Sequence, residues 1–315
     1  MKKELRKEII FSLVIILFFA VMLSPLLIAL SGSFRSPDNA TSFLELFNQF
    51  SLESYKEAFQ KMHYFRALKN SMITTFTSTA LLLVIAALAG YALARLKTRM
   101  GGFLQIFFLA GMMISAQMSI IPIYSIMRFF KINSSYAAPI VMYITISIPF
   151  SIFVYTNFVK SGVPFALEEA AWIDGAGRMT IFTRIVIPLT KPVLASIVIT
   201  QGVPIWNDFF LSMLFLSSST KKTLPLVMLS FLGDMQKPTQ WTMLFAACFL
   251  SALPMLIVYA FLQKQFVGGL TVGAVKGSKY EKDNKERVCD LFTVCICFTC
   301  TYIVVYSHSK LPKVL

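Results

Sequence analysis

Apolar residues in this chain gather into six long blocks separated by shorter polar stretches, at residues 9–30, 71–95, 103–127, 137–159, 185–210 and 242–262. A helix rising 1.5 Å per residue needs about 20 apolar residues to cross the hydrocarbon core of a bilayer. The pattern therefore predicts six transmembrane helices in an all-α integral membrane protein. Within the polar stretch 31–70, Leu52, Tyr55, Phe59 and Met62 recur at spacings of three and four. That spacing predicts an amphipathic helix along a membrane interface, with packing against the bundle and a docking role both open to it. Pro188, Pro192 and Pro204 in the fifth block and Pro254 in the sixth each remove a backbone donor. Such prolines favour kinks, which membrane helices tolerate beside a cavity. The fifth and sixth blocks are thus the expected lining of a pathway, with ordinary kinked packing as the alternative.

Composition agrees with a bilayer setting. Of 315 residues 57% are apolar and only 14% charged, against about a quarter charged in soluble domains; mean hydropathy is +0.70. The net charge of +14 raises nucleic acid as a partner, but the basic residues flank apolar blocks instead of forming a stripe interleaved with aromatics. No nucleic-acid partner is expected. Their placement reports orientation, because short cytoplasmic loops retain Lys and Arg. Lys2, Lys3, Arg6 and Lys7 precede the first block, and Arg95, Lys97, Arg99, Lys160, Arg178, Arg184 and Lys191 fall on the same side if six spans are crossed. This bias predicts both termini in the cytoplasm. The first apolar run exceeds the 7–15 residues of a signal-peptide core, so an uncleaved first span is expected over a cleaved leader.

Candidate chemistry is sparse. The fifteen carboxylates all avoid the centres of the six blocks, whereas ion-coupled carriers keep ionisable groups inside the bilayer to bind or relay the coupling ion. The phosphate-cradling pattern G-x-x-x-x-G-K-[ST] is missing from the chain. Neither a metal-ligand cluster nor a nucleophile–base set can be assembled around His63 and His308. No cofactor is expected, and uphill movement of a solute would need a partner to drive it.

Between the fourth and fifth blocks runs Ser161-Gly162-Val163-Pro164-Phe165-Ala166-Leu167-Glu168-Glu169-Ala170-Ala171-Trp172-Ile173-Asp174-Gly175-Ala176-Gly177, then Arg178 to Arg184 and Ile185-Val186-Ile187-Pro188-Leu189. Pro164 suits the first turn of a helix, Ser161 or Gly162 its cap, and Glu168 and Glu169 the positive end of its dipole. Ala166, Ala170 and Ile173 share one face, where small side chains let another surface approach. Gly175 and Gly177 permit backbone angles that other residues resist. A short helix, a glycine bend and a second short helix leading into the fifth span are expected, forming a compact cytoplasmic knob.

Glu169-Ala170-Ala171, three residues, Gly175, nine residues and then Ile185-Val186-Ile187-Pro188 resembles the EAA loop of binding-protein-dependent ABC importer permeases. That loop reads E-A-A-x3-G-x9-I-x-L-P, and this chain departs from it at Ile187. Asp174-Gly175-Ala176, Trp206-Asn207-Asp208 and Gly268-Gly269-Leu270 through Gly273-Ala274-Val275-Lys276-Gly277 are similar to the sugar-importing branch, specifically its maltose-type second permease. The resemblance covers about residues 8–277.

It implies a type I ABC importer permease fold, N-in/C-in, in a transport subunit that is not itself an enzyme. Residues 164–187 would be coupling helices docked on a cytoplasmic ATPase, with Glu169 touching it and Gly175 making the bend. Glu168, Ala170, Ala171, Asp174, Ala176 and Pro188 belong to the same coupling element. The implied partners are two ATP-binding subunits, a paired permease of the same family and an extracellular sugar-binding protein, assembled in the lipid bilayer of a bacterial-type inner (plasma) membrane. The same machinery for a phosphorylated polyol or a peptide, and a membrane scaffold or receptor without transport, are the alternatives.

Thr200, Gln201, Asn207 and Asp208 in the fifth block and Ser251 in the sixth are candidate pathway residues, because sugar hydroxyls need donors and acceptors; hydrogen bonding to a neighbouring helix is the competing role. The expected organisation is a first span with its extracellular segment (1–70), a five-helix core carrying the coupling loop at about 161–189 (71–277), and an atypical tail (278–315). The tail holds Cys289, Cys295, Cys297 and Cys300. Its break in composition favours out-of-frame translation past the usual ending, with a short seventh span over Val288–Tyr306 as the alternative.

Overall fold

The computed structural model describes residues 2–36, 50–96, 98–113, 117, 119–216, 218–233 and 238–274, with 2–12, 14–16 and 262–274 described by backbone alone. The tail 278–315 and Gly277 lie outside the described residues. Every regular element described is a helix, in the order α1 (Lys2–Ser33), α2 (Glu53–Lys61), α3 (Tyr64–Arg95), α4 (Arg99–Gly111), α5 (Ile120–Phe129), α6 (Ala137–Gly162), α7 (Phe165–Ile173), α8 (Arg178–Ile181), α9 (Ile187–Asn207), α10 (Phe210–Phe215), α11 (Leu224–Met228) and α12 (Trp241–Ala274).

Four helical stretches among the described residues are long and apolar enough to cross a membrane: Tyr64–Arg95, Ala137–Gly162, Arg178–Asn207 and Trp241–Phe261. Large apolar side chains stand exposed along them, including Val84 and Leu88 on α3, Ile146 on α6 and Leu253 and Ile257 on α12. Apolar surface of this extent belongs against lipid or another apolar partner. The third block, expected as one span over 103–127, is instead divided between α4 and α5. Gly111 ends α4, and Pro122 sits in the first turn of α5, where its missing N–H costs nothing. In one continuous helix the same proline would leave a carbonyl unbonded and clash with the preceding turn.

The chain packs as two units, one within Met1–Lys61 and Ser230–Leu250, the other within Met62–Leu229 and Ser251–Gly277. In the first, Gly32 of α1 lies flat against Phe245, and a Cβ there would come within 2.7 Å of the ring. Ser33 Oγ and Tyr55 Oη lie 2.9 Å apart, and Phe34 stacks on Phe50 at 4.7 Å. Of the apolar stripe expected in the 31–70 segment, Tyr55 and Phe59 lie half-buried on α2 and Met62, just after it, is buried. Helix α2 buries Ser54 and Ala58, while Leu52 precedes the helix and is exposed.

In the second unit α3 packs along α6 and α9. Close approach is possible because Gly90 faces Tyr155, where a Cβ would meet the ring at 2.8 Å; small residues serve membrane helix packing this way. Tyr155 and Thr190 hydroxyls lie 3.0 Å apart, and Thr156 Oγ1 donates to Gly90 O at 3.2 Å. A core of Leu82, Ala87, Tyr155, Val159, Val163, Ile181, Phe182, Val186, Val193 and Ile197 occupies the Arg95 end of α3.

Between α8 and α9 the helix widens into a π turn at Phe182–Val186, where Ile187 N–H bonds Phe182 O. Pro188 explains the widening: it has no N–H to return to Arg184, so the ladder shifts by one residue there. Helix α9 continues through Pro192 and Pro204.

Candidate functional site

The loop between α6 and α9 is built by local rules. A residue preceding proline is pushed out of the α region, and Val163, before Pro164, is extended at φ −115°, ψ 102° and ends α6. Pro164 itself, at φ −60°, ψ 128°, is the cap of α7. This corrects the expected capping: Ser161 and Gly162 belong to the last turn of α6, where Ser161 Oγ bonds Asn157 O at 3.0 Å. At the far end of α7, Ala176 N–H bonds Ala171 O at 2.9 Å and Gly175 N–H bonds Trp172 O at 3.0 Å. These are the paired bonds of a Schellman cap, which needs a left-handed residue after the cap position. Gly175 supplies it at φ +82°. Gly177 has an ordinary φ of −73° and caps α8, so of the two glycines Gly175 alone requires its residue type for backbone reasons.

The knob has an inner and an outer side. Ala171 and Ala176 pack on the apolar core at the Arg95 end of α3. On the other side Ala166, Glu169, Ala170 and Asp174 are exposed, and so are Leu167, Trp172, Met179 and above all Ile173 at 87%. Pro188, the second residue of α9, is also exposed.

Glu168 belongs to the inner side, with 1% exposure. Its Oε2 accepts from Tyr91 Oη at 2.8 Å, and Oε1 accepts from Arg95 Nε at 2.9 Å and from Arg95 Nη2. Nη2 also donates to Val163 O at 2.9 Å, and the guanidinium lies over the Phe165 ring at 5.5 Å. Phe165 in turn meets Trp172 edge-on at 6.2 Å. Glu168 therefore presents no oxygen to an outside surface, and its place in the contact set is corrected: it holds the loop from within. Removing one member of a buried ion pair costs about 3–5 kcal/mol, because the other charge is left unpaired.

The candidate pathway residues separate by what they already bond. Thr200 Oγ1 donates to Ser196 O of its own helix at 2.9 Å, a local satisfaction common in membrane helices. Asp208 Oδ2 accepts from Tyr143 Oη at 2.8 Å and from Leu211 N at 2.9 Å, tying down the first turn of α10. Ser251 is buried, and its carbonyl accepts from Trp206 Nε1 at 3.3 Å. The Thr200 hydroxyl and the Asp208 carboxylate are thus engaged in bonds within the protein, whereas Ser251 Oγ is buried without a hydrogen-bond partner among the described residues. Gln201 is half-buried and Asn207 exposed at the end of α9. Where α9 faces α12, a cleft is lined by Val198, Ile199, Val203, Met255, Val258 and Tyr259.

Sequence reasoning passed over two features. Arg95 and Tyr91 entered only as a loop charge and an apolar-block residue, and their pairing with Glu168 spans 73 and 77 positions. The second is a hydroxyl face on α3, where Ser71, Thr74, Thr75, Ser78 and Thr79 are all buried. Its spacing of three and four was visible in the chain, hidden by the apolar average around it.

Several membrane-crossing helices around a protruding helix–bend–helix loop define a multi-pass membrane permease. Residues 82–271 match the family described as binding-protein-dependent transport system inner membrane component. The chain belongs to that family. It is 33% identical to the melibiose/raffinose/stachyose import permease protein MelC of Bacillus subtilis (strain 168), over 80% of this chain and 91% of that one. It is 32% identical to the maltodextrin transport system permease protein MdxG of the same organism, over 82% and 92%. A chain of a bacterial ABC transporter involved in the import of the acidic polysaccharide alginate superposes with a TM-score of 0.74 at 22% identity, covering 84% of this chain and 98% of that one. The fold is that of type I ABC importer permeases.

Proposed function

We propose that this chain is the permease subunit of an ATP-driven, binding-protein-dependent importer of an oligosaccharide, forming half of the translocation pathway. The relatives named for melibiose, raffinose, stachyose and maltodextrin support the sugar class. In this reading the chain crosses a bacterial inner membrane six times with both termini in the cytoplasm, residues 71–277 carrying five of the spans. A paired permease completes the pathway, an extracellular binding protein delivers the sugar, and two ATP-binding subunits dock from the cytoplasm.

The observation that carries the reading is the outer side of the knob. Leu167, Trp172, Ile173 and Met179 are apolar and exposed around the small Ala166 and Ala170. An apolar patch on a short polar-flanked loop fits burial in a partner's groove. Glu169 and Asp174 rim it, and Gly175 sets its shape. Closure of the ATPase dimer would carry the docked loops with it and tilt the bundle between inward- and outward-open states. Such a lever shifts the population only by the difference in contact energy between the two states, so the docked surface has to persist in both. Gln201, Asn207 and Ser251 are the pathway residues proposed as sugar contacts.

The test is uptake of labelled raffinose, melibiose and maltotriose by cells expressing the complete importer. Uptake of one of them that disappears when the ATPase is withheld is the expected result. Uptake that survives without the ATPase, or a complex that never retains one, overturns the proposal.

A further inference from the structure

We propose that Arg95, Tyr91 and Glu168 are positioning residues that lock α7 to α3, so that a push on the outer side of the loop is delivered straight to the longest helix of its unit. The inference rests on the reading of this loop as the place where an ATPase pushes.

Covalently, α7 is weakly held. It hangs from α6 through Val163 and Pro164 and from α8 through the bend at Gly175. Its apolar footing is partly Ala171, a side chain too small to resist displacement by itself. A further attachment is polar and comes from α3. A carboxylate with 1% exposure accepts one hydrogen bond from Tyr91 and two from Arg95. The same guanidinium bonds Val163 O, on the near side of Pro164, and covers the Phe165 ring on the far side. Arg95 thus grips the chain before and after the proline, while Glu168 fixes the rotation of α7 about its axis.

Charge-assisted bonds from a planar guanidinium are the strong and directional kind. Directional bonds to the Glu168 carboxylate, with the guanidinium over Phe165 and on Val163 O just before the helix, define position and orientation together, which apolar contact does not. If this lock opens, the ATPase can still hold the outer side of α7 and still hydrolyse ATP, but the movement is taken up at Val163–Pro164 and Gly175. The signature is hydrolysis without transport.

The experiment uses the complete importer in proteoliposomes, with the sugar among melibiose, raffinose and maltotriose that the wild type moves. Arg95→Gln is expected to lower sugar moved per ATP hydrolysed by tenfold or more, with the ATPase still bound and hydrolysis within about threefold of wild type. Amide hydrogen exchange over residues 165–173 should rise at least tenfold, with that of 137–162 unchanged. The charge exchange Arg95→Glu with Glu168→Arg should recover both readouts to within about threefold, which separates a lost pairing from general damage. An unchanged transport-to-hydrolysis ratio in Arg95→Gln overturns the proposal, and so does a lowered ratio that the exchanged pair fails to restore. If the wild-type complex holds no ATPase, the parent reading has failed. The attachment itself is then decided by exchange: raised in Arg95→Gln and restored in the swapped pair it stands, and unchanged it falls.

Discussion

At one end α3 holds a neighbouring helix through a charged side chain, and at the other it holds a loop through a neutral amide. The Arg95 end binds the buried carboxylate of α7. At the opposite end Asn70 Nδ2 donates to Thr220 O and Lys222 O, both at 2.9 Å, while its Oδ1 accepts from Tyr136 Oη at 2.8 Å. Ser71 Oγ accepts from Leu224 N at 2.8 Å, and Lys221 Nζ reaches Ser134 O at 2.8 Å. Burial raises the Tyr136 phenol above its ordinary range, so it remains protonated and a donor to Asn70 throughout neutral pH. The amide network spreads its hold over backbone carbonyls of one short segment, and each bond is worth about 1 kcal/mol net. The ion pair concentrates its hold in one carboxylate whose loss strands a cation. A concentrated attachment suits an element that transmits force, and a distributed one suits an element that needs only to stay in place.

The contrast can be broken first on the outer side of the knob. Glu169→Arg and Gly175→Val are each expected to abolish sugar uptake while the membrane level of the protein, read by immunoblot, is unchanged. No atom lies within 4 Å of a Cβ built at Gly175, so the cost there is the positive φ and not space. Gly175→Asn, which tolerates that conformation, should retain clearly more uptake than Gly175→Val. Next comes Glu168→Ala, expected to destabilise by about 3–5 kcal/mol, seen as a fall in thermal unfolding temperature in detergent. At the other end Asn70→Leu should cost about 1–3 kcal/mol and expose the 218–223 segment to protease, with sugar moved per ATP unchanged. A coupling defect in Asn70→Leu equal to that of Arg95→Gln would erase the difference between the two ends. The smallest effect belongs to Thr200→Val, whose hydroxyl bonds its own helix. About 0.6 kcal/mol and uptake within twofold are expected.

How far the sequence could be read follows the range of the forces involved. The knob was legible because its geometry is local: proline displaces Val163, and Gly175 answers a helix end a few residues away. Block lengths located the long helices, but a hydropathy average does not register Pro122, and so the third block was expected whole. Glu168 and Glu169 are chemically identical neighbours, and nothing near them in the chain says which one turns inward. That is decided by Arg95, 73 residues earlier, which the sequence offered only as one more flanking charge. Asp208 is a similar case, since its partners Tyr143 and Leu211 give its carboxylate a structural task that residue type alone does not reveal.

The most direct measurement places a photo-crosslinking amino acid at Ile173, the most exposed apolar position of the loop, in native membranes holding all partners. The account predicts an adduct with the nucleotide-hydrolysing subunit, lost when Glu169→Arg is added. Reaction with water alone, with that subunit present and no adduct formed, would contradict it.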